Sequence, residues 1–172
     1  MMLLIYEGCR PVSFATRNPE LLITMGDSLL LAHPDDTDLR TAIIDARLAL
    51  AKSKDSLDEY KKILEIDPKN STARYHIYMA EGETNHIKGH KNGQWDAIQS
   101  FAKAAATIDT MGEPYYWAGR AYEKKDEMDF ELPLESYDKA LSLYLSSEMR
   151  AKVKSARESL LQRKKTYEDF WK

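Results

Sequence analysis

Between Glu113 and Leu143 the chain reads EPYYWAGRAYEKKDEMDFELPLESYDKALSL, and two helical stripes within it constrain most of what the chain can become. Tyr115, Ala118, Gly119 and Tyr122 are spaced by three, four and seven residues from the first, so they share one helix face. Tyr137 and Ala140 form a second stripe on the following segment. Gly119 and Ala140 are small enough for two helices to approach closely, with the aromatic rings filling the space beside them. A chain patterned this way folds as packed helical hairpins.

The pattern recurs. Pro34, in LLLAHPDD, and Pro68, in ILEIDPKN, are 34 residues apart. Ala97, Phe101 and Ala104 repeat the small–aromatic–small spacing. The aromatic markers Tyr60, Phe101 and Tyr137 are separated by 41 and 36 residues. The longer intervals predict an insertion between Gly82 and Gln94 and a shorter one around Glu127 to Leu132. The expected helix starts carry capping residues: Asn18 before Pro19, Asp36-Thr37-Asp38, and Asn70-Ser71-Thr72. The first helix, ending near Ala32, is expected to bury Leu22, Met25, Leu29 and Ala32. The second runs from Leu39 to about Ala51. The third runs from Asp55 to Ile66 and is expected to bury Leu57, Tyr60, Ile63 and Leu64.

These residues resemble the tetratricopeptide repeat, whose 34-residue unit carries an aromatic–small–Gly–aromatic first helix, an A-x3-F second helix and a closing Pro. The resemblance covers about Pro34 to Leu145, with YKKILEIDP its strongest local match; Ile44 stands where the family usually has Gly. It implies an all-α, right-handed superhelix of antiparallel hairpins, with about seven to eight helices and a long C-terminal capping helix. The organisation expected is an irregular lead-in over 1–18 and a repeat domain over 19–172. Its repeats span about 35–69, 70–110 and 111–146, and 147–172 form the cap. Met149, Val153, Ala156 and Leu160 provide the packing stripe of that last helix. The chain closes on Tyr167-Glu168-Asp169-Phe170-Trp171-Lys172, more aromatic than a solvated tail requires.

Composition narrows the function. Net charge is -3, and no Lys/Arg cluster interleaved with aromatics marks a nucleic-acid surface. A single cysteine, Cys9, leaves no internal disulfide and no cysteine-based zinc site. No run approaches the roughly 20 apolar residues of a membrane-spanning helix. The acidic pairs Asp35-Asp36 and Asp126-Glu127 fall at helix starts and turns, where carboxylates satisfy free N–H groups. No nucleophile motif or phosphate-cradling glycine loop is present, so neither an enzyme nor a cofactor is expected. His86 and His90 have the four-residue spacing of a helical metal pair, with Glu81 and Glu83 nearby. Gly89 between them and Asn92-Gly93 after them point instead to a solvated loop and no metal.

The resemblance implies a peptide groove lined by the first helix of each hairpin. The residues assigned to partner binding are Tyr75, His76, Met79, Tyr116, Trp117 and Arg120, with Glu113 and Lys124 at the margins and Thr41, Asp45 and Leu48 in the preceding repeat. Aromatics supply contact area at small entropic cost, and Arg120 can hold a carboxylate by two bonds. Members that bind chaperones hold a terminal carboxylate through Lys and Asn; Thr41, Asp45 and His76 fill those places here, so that ligand is not expected. The function expected is a non-catalytic adaptor or scaffold for a protein or peptide partner.

Two alternatives remain. The insertion and the aromatic C-terminus could bind further copies, making the chain a homo-oligomeric assembly component. Gly8-Cys9 after the apolar Met1 to Tyr6 resembles the end of a bacterial lipoprotein signal, which would make the chain a lipid-anchored periplasmic accessory of an envelope or transport system rather than a cytoplasmic protein.

Overall fold

The computed structural model describes residues 19–88 and 91–171, so the lead-in and Cys9 lie outside the described residues, as does His90. Among the described residues the fold is all-α: eight helices and one isolated bridge. The chain divides into two compact units, ending and starting at Asn70 and Ser71.

The first unit contains α1 (Pro19–Ala32), α2 (Thr37–Lys54) and α3 (Leu57–Ile66). Asp36 caps α2, its Oδ1 accepting the Leu39 N–H at 2.9 Å. The same helix ends where Asp55 enters the left-handed region at φ 50° and the Ser56 N–H closes onto the Ala51 carbonyl at 3.0 Å. Consecutive helices pack together through short turns, so each pair is an antiparallel hairpin. Leu22, Leu39, Ile43 and Ala46 form the core between α1 and α2, and Tyr60 and Ile63 are the buried apolar face of α3.

Two expected faces are corrected. Met25 and Ala32 are exposed, and Gly26 takes the buried place against Ile43. Leu57 is also exposed, because the left-handed turn at Asp55 delays α3 until Leu57 itself. Glu59 is buried instead, drawn in by Arg47. That guanidinium is only 2% exposed and donates to Glu59 at 2.8 Å and to Asp27 at 3.2 Å. Burial alone would raise the Glu59 carboxyl, but hydrogen bonds from Lys62 and Arg47 outweigh it and hold it below the usual range.

The second unit contains α4 (Ser71–Lys88), α5 (Lys91–Thr107), α6 (Glu113–Lys125), α7 (Glu131–Ser142) and α8 (Ser147–Phe170). Each helix packs on the next, and α4 also touches α6. One core cluster joins α4, α5 and α6 around Tyr75, Met79, Phe101 and Ala121. A second joins α6, α7 and α8 around Tyr116, Tyr137, Val153 and Leu160. Trp117 packs against both. The small residues act as the pattern requires. A Cβ at Gly82 would collide with the edge of the Phe101 ring, and one at Gly119 would lie 2.6 Å from the Tyr137 ring.

The predicted insertion is not a solvated loop. Helix α4 continues to Lys88 and α5 begins at Lys91, so the added residues lengthen both helices. Gln94, fully buried, ties the extension: its amide meets the His86 ring at 2.7 Å and donates to the His86 carbonyl at 3.1 Å. The loops before α6 and before α8 are joined by the parallel bridge Met111–Tyr144, with Gly112 N–H to the Tyr144 carbonyl and Tyr144 N–H to the Thr110 carbonyl, both 2.9 Å.

Helix α8 is twice the length of α7, 24 residues against 12. At 1.5 Å per residue that is about 36 Å against about 18 Å. Lys164 pairs with Glu131 at the first residue of α7, so α8 beyond Lys164 projects past its partner helix. Tyr167 reaches the loop residue Phe130, the two ring centroids 5.7 Å apart.

Candidate functional site

Helices α4, α6 and α8 together line one face of the second unit. Along α6, Arg120, Glu123 and Lys124 follow at helical spacing, with Glu127 in the turn beyond. With His86 of α4 and Arg163 of α8 they enclose a cavity of about 530 Å³. A second cavity, about 460 Å³, is walled by Met128, Phe130, Thr166, Tyr167 and Phe170. The two adjoin, sharing Glu127 and Arg163. The result is an open groove, polar at one end and aromatic at the other.

The polar end is tightly bonded except at Arg120 and at the Glu127 carboxylate, neither of which has a side-chain partner among the described residues. Arg163 Nη1 donates to Glu123 at 2.8 Å and Nη2 to the Glu127 carbonyl at 3.2 Å. The other Glu123 oxygen accepts the Tyr137 hydroxyl from the core. Burial pushes the Tyr137 phenol up, and the Glu123 carboxylate pushes it further. Lys124 Nζ donates to the His86 carbonyl at 3.0 Å. Arg120 is exposed and forms no ion pair among the described residues. Burial lowers the His86 imidazole, partly opposed by Gln94, and the Lys124 and Arg120 cations lower it further.

The six residues assigned from the sequence divide sharply. Arg120 lines the groove. His76 is exposed on α4, its ring edge-on to Tyr75 at 5.4 Å. Tyr75, Met79 and Tyr116 are buried between helices instead of standing on an open face. Trp117 is half-buried, stacked on Phe101 at 6.3 Å and edge-on to His86 at 6.0 Å. The reason is that α6 has packed neighbours on two sides, α5 and α7. It therefore buries two stripes, and a periodicity argument that assigns one buried stripe per helix treats the other as free. Of the expected margins, Lys124 lines the groove and Glu113 is half-buried near Trp117. Burial pushes the Glu113 carboxyl up, while Lys152 pulls it down. Among the described residues the Tyr75 hydroxyl is buried without a hydrogen-bond partner, and its phenol is pushed up by burial and by the Glu113 and Glu83 carboxylates.

Sequence reading missed Glu123, Glu127 and Arg163. The available signal was the polar stripe Arg120–Glu123–Lys124–Glu127; nothing local announced that Arg163 would join it. Among the described residues no three His, Cys, Asp or Glu side chains are placed to hold a metal. No described helix is long and apolar enough to cross a membrane.

No family model matches this chain, and no curated protein matches it. Two crystal structures of MamA protein are similar to it. One is 19% identical with a TM-score of 0.43, over 90% of this chain and 88% of that one. The other is 17% identical with a TM-score of 0.40, over 96% of this chain and 99% of that one. At these TM-scores the likeness does not establish a shared fold. The helical hairpins and their small–aromatic contacts stand on this chain's own residues.

Proposed function

We propose that this chain is a non-catalytic interaction module of the tetratricopeptide type, binding a protein segment in the groove formed by α4, α6 and α8. The supporting observation is the adjoining pair of cavities, with Phe170 80% exposed at the aromatic end and Arg120, which has no ion-pair partner among the described residues, at the other. Aromatic anchors beside an arginine are the residue types that dominate binding at protein interfaces. Of the six residues assigned from the sequence, Arg120 contacts the partner, and Trp117 backs the groove through its contact with His86.

The test is affinity capture from a cell extract using the chain and its Arg120→Ala/Phe170→Asp variant. Both substituted side chains are exposed, so the variant melts as the parent does. Polypeptides retained by the parent and lost by the variant support the groove. Equal retention by both moves the interaction elsewhere on the molecule.

A second reading is self-association through the end of α8, where Phe170 and Trp171 are 80% and 70% exposed. Light scattering over a concentration series separates it: a mass that rises with concentration and stays constant in Trp171→Ser supports assembly.

A further inference from the structure

We infer that the segment held in this groove carries both an internal acidic side chain and a bulky apolar side chain. This rests on the groove reading above and adds the chemistry of the partner.

The acidic half follows from which cations are already engaged. Arg163 is held by Glu123 and the Glu127 carbonyl, and Lys124 by the His86 carbonyl. Glu123 is in turn occupied by Arg163 and the Tyr137 hydroxyl, so it does not neutralise Arg120. Arg120 therefore keeps its planar set of donors for an incoming carboxylate, the group that fits it in two parallel bonds.

The apolar half follows from the second cavity. Met128 and Phe170 stand exposed over Phe130 and Tyr167, whose rings already touch. An aromatic or branched aliphatic side chain inserted here would bury apolar area on both partners, while a charged one would lose its hydration.

Glu127, at the junction of the cavities, disfavours a second acid between the two anchors.

The test uses a display library of random twelve-residue segments fused at both ends, so that every carboxylate is a side chain. It is selected in parallel on the full chain, on Arg120→Glu and on Phe170→Asp. On the full chain, segments that combine Asp or Glu with Phe, Trp, Tyr or Leu should be enriched. Individual selected segments should lose affinity about tenfold or more on Arg120→Glu, as expected for reversing a charge opposite a charge. Selection on that variant should replace the acid with Lys or Arg and retain the apolar residue. Apolar enrichment without an acidic preference would overturn the partner chemistry while leaving the groove in place. The same enriched segments on all three proteins, or no enrichment above the support alone, would overturn both.

Discussion

Gly119 and Tyr137 touch so closely that a single added carbon would not fit: a Cβ at Gly119 lies 2.6 Å from a Tyr137 ring carbon. Helices α6 and α7 meet through this contact, and the Tyr137 hydroxyl continues past it to Glu123 in the groove. Core packing and groove wall are thus linked through one side chain.

Gly119→Leu should destabilise the second unit by about 1–3 kcal/mol or more, because overpacking forces the helices apart. Gly26→Ala in α1 is the contrast. Its Cβ would meet Ile43 at 3.3 Å, a tight contact that the side chain can relieve, and Ala gains up to about 1 kcal/mol in helix propensity. Thermal melts should show a large loss for the first and little change for the second. A Gly119→Leu protein that melts like the parent would remove Gly119 from the helix contact.

Trp117 and Arg120 should separate stability from binding. Trp117 bridges both core clusters of the second unit, so Trp117→Ala should cost about 3 kcal/mol, toward the lower end of aromatic truncations because the ring is only half-buried. Arg120→Ala should leave the melting temperature essentially unchanged and weaken capture of partner segments. Chemical denaturation and a binding titration on the two single variants check this; equal effects of both on stability would contradict the placement of Arg120.

Arg47 should be the most sensitive polar position of the first unit. Its removal leaves the Glu59 carboxylate buried with Lys62 as its remaining partner, and breaking a buried pair costs about 3–5 kcal/mol. Arg47→Met alone should therefore unfold the first unit at much lower denaturant, and adding Glu59→Leu should recover part of the loss. A double variant no better than the single would show that the pair does not act as a unit.

The same carboxyl sets an acid dependence. The folded state holds Glu59 below its unfolded value, so it binds that proton less readily than the unfolded chain does. Its contribution is complete above the unfolded carboxyl range, about pH 4.5, and is lost as pH falls through the lowered folded value. Stability of the parent should fall over that interval more steeply than that of Glu59→Gln. Parallel acid titrations would refute this by superimposing.

Much of the fold was legible in the residues themselves. A period near 3.6 placed the helices, Asp36 marked a cap, and Ala97, Phe101, Ala104, Tyr137 and Ala140 are buried as their small–aromatic spacing requires. These are local properties: the repeat of side chains along one helix and the size of each decide them. What the tertiary structure alone decided is how many neighbours each helix has. Because α6 is flanked on both sides, Tyr116 is buried and Trp117 is half-buried, and the open face shifts to Arg120, Glu123 and Lys124. Arg163 meets Glu123 from 40 residues away only because α8 folds back beside α6 and outruns α7. Helical periodicity specifies which side chains share a face, but burial depends on what packs against that face, and that is settled by contacts between distant parts of the chain.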